Sequence, residues 1–314
     1  MLVHCKLNFV FTPKLPYKII NLLVVCNIGG TRLIRYGCQM MTWSEKKDKG
    51  RNPKEFLSSF SKIMDDIVDA GFNGIELWGR WKEKAIADLG SLEELVDALR
   101  ARQLAVAGMY WPVGETTSTG STETLARAEE DARFLQAAGS EILVVQAPRR
   151  PDVVEEEHLK HLAVLLDEIG RRTADYDVKP AVHPHYQTMI QDRWEIDRIM
   201  MLTDPEYVYF APDVSHIFIS GGNIRDTLWD HRQRIRYFHF KDALRTVRKG
   251  EDYPDFIVEL GEGVIDFPSI MRLIRQIKYQ GWITIDLNIA RVTPLQSLKI
   301  CKSYIENVLS KIYR

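Results

Sequence analysis

The chain has 314 residues, with 42 Lys and Arg against 43 Asp and Glu, and 45% of it is hydrophobic. A balance this close to neutral gives no electrostatic reason to expect nucleic acid or an anionic membrane surface, so small molecules are the default partners. No apolar run approaches the roughly 20 residues that span a bilayer, and no stretch rich in Pro, Gly and Ser divides the chain.

Residues 1–35 read as an N-terminal extension. The apolar run from Ile19 to Gly30 has the length of a signal peptide, but it lies far from the start, and Cys26 and Asn27 interrupt it. It shows no small-residue cleavage site. An extra element packed on the domain, or residues added by an upstream start codon, fits it better. The four cysteines, Cys5, Cys26, Cys38 and Cys301, have no CxxC or other zinc spacing. A large core needs no disulfides, so free thiols in a reducing cytoplasm are expected.

From Tyr36 onward, strand-like and helix-like segments alternate. Strands are expected at 36–41, 71–78, 104–111, 141–148, 179–185, 207–213, 235–240 and 281–288. Each is a short apolar run of the kind a parallel strand buried on both faces requires. Helical spacing falls between them, at 53–70, 92–103, 122–138, 153–176, 193–202, 223–233 and 267–277, and a last helix is expected at 294–312. Eight βα units in a chain of this length predict an α/β fold, a closed (β/α)8 TIM barrel over 36–314. A doubly wound open sheet is the alternative. If it bound a nucleotide it would carry a Gly-rich turn after its first strand, and neither GxGxxG nor GxxxxGK[ST] occurs.

In such a barrel, side chains at the C-terminal strand ends converge on one site. The fifth strand ends His183-Pro184-His185, and alternation puts both imidazoles on one face. The sixth ends at Asp213, with His216 three residues on. The seventh carries His239, and Lys241 faces the same way. Asp242 faces the helices, where capping or pairing is its expected work. The eighth carries Asp286, followed by Asn288, which reads as a loop amide. A single buried Asp and His would more simply satisfy each other. Their recurrence on four successive strands favours a divalent-metal site of His183, Asp213, His239 and Asp286. Two imidazoles and two carboxylates suit Mn, Co, Fe or Zn and leave coordination positions open for a substrate carbonyl and hydroxyl. Glu76 on the second strand either lines the lumen or pairs at the barrel floor. Trp43, Trp78 and Trp111, together with Trp81 and Tyr110, lie at or just past early strand ends, where rings can stack on the C–H faces of a sugar or cyclitol.

The pieces GFNGIELWG, AVHPHYQTMIQDRWEIDRIM, APDVSHIFISGG, RIRYFHFKDA, LGEGVIDFPSIM and YQGWITIDLN run in order from Gly71 to Asn288. Together they resemble the xylose isomerase-like barrel superfamily of sugar isomerases, epimerases and endonucleases, and within it the inosose dehydratase branch. The resemblance implies metal ligands of the pattern Glu, Asp, His, Glu on strands five to eight, which fall on His183, Asp213, His239 and Asp286. The first departs from the pattern in the way typical of the inosose dehydratase-like branch, and the last is one methylene shorter. The pair of glutamates that shuttles protons in the epimerases is missing, which argues against 3-epimerisation by that route. His216 matches a histidine that binds a substrate oxygen. Arg245, six residues after His239, falls where epimerases place a substrate-binding Arg.

The implied activity is that of a metal-dependent lyase or isomerase acting on a keto-cyclitol or keto-sugar through an enolate. His185 or Lys241 is the expected base, with His216 or a water as the acid. Sugar isomerisation or epimerisation and the cleavage of 3-keto-glycosides are alternatives. A barrel without catalysis, serving as a binding partner or subunit, is the rival from another class. An endonuclease would need a basic groove and more His and Glu ligands. A homo-oligomer is left open.

Overall fold

The computed structural model describes residues 34–44, 58–113, 118–248, 251 and 253–313. All but the last two residues of the expected N-terminal extension lie outside them, as does the start of the first expected helix. The eight barrel strands are β1 (Arg35–Gln39), β2 (Gly74–Trp78), β3 (Ala105–Pro112), β4 (Ile142–Gln146), β5 (Lys179–His183), β6 (Tyr209–Phe210), β7 (Tyr237–Phe240) and β10 (Trp282–Ile285). Between the last two lies a small antiparallel pair, β8 (Asp242–Ala243) and β9 (Ile257–Val258).

The barrel strands run parallel in the order β6-β5-β4-β3-β2-β1-β10-β7. The seam between β6 and β7 is joined by the parallel bridges Phe210–Ile235 and Asp213–His239. Backbone bonds from Phe210 N to Arg234 O (2.8 Å) and from His239 N to Pro212 O (3.1 Å) complete it. The sheet is therefore a ring, not an open doubly wound sheet. β1 starts at Arg35, inside the segment read as extension, and residues Met40–Trp43 form a 3-10 turn. β6 is far shorter than its apolar run, for a local reason. Pro212 has no N–H to give the ladder, and Asp213 turns the chain by capping a short helix, Val214–Ile219, its Oδ1 accepting from the amides of Ser215 and His216, both at 2.9 Å. That helix, and another over Lys82–Leu89, were not legible in the apolar spacing.

Helices begin where the sequence supplies caps. Ser59, Ser91, Asn223, Asp266 and Thr293 each accept an amide of their helix's first turn, and Pro stands inside the first turn after Asp266 and Thr293. The helix Glu156–Ala174 turns Leu159, Leu162, Leu166 and Ile169 inward, all 1% exposed or less. Two glycines set how closely layers approach. A Cβ on Gly74 would lie 2.3 Å from the Trp282 ring, and one on Gly170 would lie 2.6 Å from the Tyr207 Cβ. Inside the ring, Tyr237 fills the lumen below the strand ends, its hydroxyl 2.6 Å from Thr284 Oγ1 and its ring against Gly108. β3 carries a bulge opposite Ile75 and Glu76, which pairs Glu76 with Gly108.

Candidate active site

The C-terminal strand ends converge on a cluster closed to solvent. His183, Asp213, His239, Lys241 and Glu76 are wholly buried, and Asp286 is 3% exposed. Asp213 is the hub. Its Oδ1 caps the helix that follows, which aims Oδ2 into the lumen. Around Oδ2 lie His183 Nε2 at 4.0 Å, His216 Nε2 at 3.9 Å and His239 Nδ1 at 3.9 Å, and His239 Nδ1 is also 3.6 Å from Asp286 Oδ2. Two triads whose nitrogen and carboxylate oxygen atoms lie within 4.8 Å of one another share the hub: His183, Asp213 and His216, and Asp213, His239 and Asp286. The four residues expected as ligands are thus brought together, with His216 beside them.

The donor atoms of this set are left open. His183 Nε2, His216 Nε2, His239 Nδ1 and Asp286 Oδ1 are buried with no hydrogen-bond partner among the described residues, and Asp213 Oδ2 has the Lys241 ammonium 3.0 Å away. Buried polar atoms are normally bonded, because an unsatisfied one costs about 1–3 kcal/mol. A convergent group of imidazole nitrogens and carboxylate oxygens is what a divalent ion satisfies. The residues present therefore fit such an ion.

Glu76 decides which nitrogen of His239 faces the cluster. Its Oε2 lies 2.6 Å from His239 Nε2, and its Oε1 accepts from Gln39 Nε2 at 2.8 Å. A carboxylate only accepts, so Nε2 carries the proton, and in the neutral ring the lone pair sits on Nδ1. Burial opposes charge on His239, but Glu76, Asp286 and Asp213 together hold its pKa above the usual value. Burial pushes the pKa of His183 and His216 well down, so both are neutral, and because His216 Nδ1 accepts from the Tyr186 amide its Nε2 carries the proton and faces the cluster as a hydrogen-bond donor.

Lys241 reaches the same carboxylates. Its Nζ donates to Asp286 Oδ2 and lies 3.0 Å from Asp213 Oδ2. Burial favours the neutral amine, but Asp213 and Asp286 outweigh it and raise the pKa above that of free lysine. The ammonium is therefore charged. The expectation that Lys241 serves as the base does not suit this geometry, since the proton it would have to lack is held by two carboxylates. Burial raises the pKa of Asp213, whereas for Asp286 the neighbouring ammonium overcomes burial and lowers it.

His185 sits half-buried at the rim. Its Nδ1 is 2.7 Å from the Tyr186 carbonyl, which can only accept, so Nδ1 bears the proton and Nε2 the lone pair. Nε2 receives the Tyr253 hydroxyl at 3.2 Å, and Asn288 Nδ2 donates to that hydroxyl at 3.4 Å. The ring lies 3.8 Å from that of His216, whose Nδ1 accepts from the Tyr186 amide at 3.2 Å. Burial lowers the His185 pKa to about 3, and Lys241 adds to it, so the imidazole is neutral.

The expected aromatic wall is only partly built. Trp78 shares the lumen face with Glu76, its ring 6.5 Å from Tyr110 and 4.3 Å from Trp81. Trp43 and Trp111 turn outward to the helix layer. Their indole N–H groups donate to Asp66 at 3.0 Å and to Asp131 at 2.7 Å. On β3 it is Tyr110 that points inward, 5.5 Å from the His183 ring and 6.2 Å from that of His239, with its hydroxyl on Gln146 Oε1 at 2.6 Å. Arg245 is not drawn into the cluster. Its guanidinium makes two bonds to Glu251, at 2.8 and 3.0 Å, and covers the Phe256 ring at 3.8 Å. Asp242 accepts from the amides of Ala243, Gly261, Gly263 and Ile265, so it organises the loop after β9. Gln39, Gln146 and Tyr253 were missed by sequence reasoning. The two glutamines ended recognisable strands and could have been found by alternation, whereas Tyr253, in a loop, carried no local signal.

The family model of the xylose isomerase-like TIM barrel matches residues 64–303. The chain belongs to that family. An inosose dehydratase of Bacillus velezensis is 29% identical over 276 residues, covering 80% of this chain and 90% of the relative. One from Clostridium botulinum is 29% identical over 258 residues, covering 73% and 82%. Among solved structures, the IolI protein with a bound zinc atom superposes with a TM-score of 0.75 at 15% identity, covering 89% of this chain and 99% of IolI. The probable 3-DHS dehydratase AsbF of Bacillus anthracis gives 0.73 at 16% identity, covering 87% and 99%. At those identities the structural likeness speaks to the fold. No helix among the described residues is long and apolar enough to cross a membrane.

Proposed function

We propose that this protein is a metal-dependent lyase of the inosose dehydratase kind, removing water from a keto-cyclitol or a closely similar keto-sugar. The observation that carries the reading is the group of imidazole nitrogens without hydrogen-bond partners around Asp213 Oδ2, at the strand ends where barrels of this kind do chemistry. The extended match to inosose dehydratases supports the substrate class.

Asp213, His239, Asp286 and His183 would hold the ion, and a bound divalent cation supplies Lewis-acid polarisation of a ketone and its neighbouring hydroxyl. The rest falls to the chain's own side chains. His185, neutral with its lone pair on Nε2 at the rim, takes the proton α to the ketone. Tyr253 and the Tyr186 carbonyl hold its ring. His216, stacked on His185, binds the departing β-hydroxyl, which leaves as water with a proton from the imidazole pair or from solvent. Trp78 and Tyr110 wall the ring of the substrate, and Glu76 orients His239 rather than touching substrate.

The test is incubation of the purified protein with Mn²⁺ or Co²⁺ and a panel of keto-inositols and keto-sugars. Formation of a conjugated enone is followed by ultraviolet absorbance, with and without chelator. Chelator-sensitive enone formation from a keto-inositol is expected. Turnover of none of the panel, or turnover indifferent to chelation, would overturn the reading.

A further inference from the structure

Lys241 is the cluster side chain that the proposed reaction leaves idle, and its position is its most informative property. The ammonium bonds to Asp286 Oδ2 and stands 3.0 Å from Asp213 Oδ2. Those two oxygens, 3.6 and 3.9 Å from His239 Nδ1, are the carboxylate members of the triad Asp213, His239 and Asp286. Lysine and a divalent ion would therefore draw on the same pair of carboxylate oxygens. An ion held at the usual 2.0–2.5 Å from both would sit within a few ångströms of the ammonium, where two positive charges repel in a site closed to bulk solvent. Lys241 has no exposed surface, and Asp286 Oδ1 is left without a partner while Oδ2 serves the lysine.

Resting on the metal-dependent reading above, the geometry points to Lys241 as a built-in cation that neutralises Asp213 and Asp286 and must leave them before a divalent ion is held there. Two consequences follow. Ion affinity is set by the work of moving the lysine aside. The ion and the lysine also replace each other as counter-charges, so each stabilises a fold the other has vacated.

The experiment compares the parent with Lys241→Met and Lys241→Gln, using Mn²⁺ alone at one fixed pH. Mn²⁺ affinity is measured by titration and melting midpoints are taken with and without the ion. Both neutral variants should bind Mn²⁺ at least tenfold more tightly than the parent. Without the ion they should melt lower than the parent, and saturating Mn²⁺ should raise their midpoints by more than it raises the parent's. Lys241→Arg, which keeps the charge, should bind no more tightly than the parent. Equal or weaker binding in both neutral variants overturns the role of Lys241 while leaving the metal site standing. Absence of Mn²⁺ binding in all four proteins overturns both. Variants that fold only with Mn²⁺ present would support the replacement in its strongest form, and variants that fold in neither condition would refute it.

Discussion

A few single atoms decide what the cluster can hold. Glu76 fixes the tautomer of His239 through Nε2, and everything the ring offers on the other side follows from that bond. In Glu76→Gln the amide can donate to Nε2, which would turn the Nδ1 proton toward Asp213 and Asp286 and remove the lone pair. Mn²⁺ affinity should fall about 10- to 100-fold, the usual range for loss of a group that orients a metal ligand, with the circular dichroism spectrum unchanged. Unchanged Mn²⁺ affinity would remove Glu76 from the site's design. Asp286 is the second such residue. Asp286→Glu should bind Mn²⁺ as well as the parent or better, because the longer side chain reaches further into the lumen. Asp286→Ala should lose tenfold or more, on the order of 1.4 kcal/mol. If Asp286→Ala matches the parent, the strand β10 contributes no ligand.

At the scale of elements, the site depends on how the helix layer is pinned to the ring. The helix Glu156–Ala174 meets the chain entering β6 at Gly170, where a Cβ would lie 2.8 Å from the Tyr207 carbonyl oxygen. Backbone cannot give way as a side-chain end can, so Gly170→Ala should cost about 1–3 kcal/mol in denaturant unfolding, the range for overpacking. A variant as stable as the parent would mean that this contact relaxes freely. A second pin is Lys82, whose ammonium meets Asp131 at 2.6 Å and Glu130 at 2.8 Å, while Asp131 also receives Trp111. Burial opposes its charge, but bonds to Asp131 and Glu130 outweigh it and push the Lys82 pKa from 10.5 to about 12. The folded value is the higher one, so this contribution to stability is whole below about pH 10.5 and is lost as pH rises through about 12. Melting profiles of Lys82→Met between neutral and alkaline pH should therefore decline less steeply than the parent's over that window. Identical slopes would show that the pair adds nothing.

For the molecule as a whole, the ring of strands and its apolar layers carry the fold, and the buried polar cluster at the strand ends is a small part of it. Residues from β1 to the last helix share one continuous buried core, from Cys38 and Phe60 to Leu298 and Leu309. His239→Ala should consequently keep the far-ultraviolet spectrum of the parent while losing bound Mn²⁺, as read by elemental analysis of the purified protein. A variant that unfolds would show that the buried His239–Glu76 pair supports the barrel itself.

The sequence by itself determined the ring and which buried polar side chains meet at its C-terminal strand ends. Eight apolar runs separated by amphipathic spans leave few topologies, and a period of two along each strand is a local rule, so His183, His239 and Asp286 could be placed on one face from their neighbours alone. The same rule did not say which face of β3 was the lumen. Trp111 and Tyr110 are adjacent and both aromatic, and the choice fell to Tyr110 because Asp131, twenty residues on, offered the indole a partner in the helix layer. Trp43 went outward to Asp66 for the same reason. Tyr253 above His185, the Arg245–Glu251 pair and the ammonium of Lys241 between two carboxylates each join segments far apart in the chain or set in loops. Such encounters depend on closure of the barrel seam between β6 and β7, which brings Asp213, Lys241 and Asp286 to one point, and no local pattern records them.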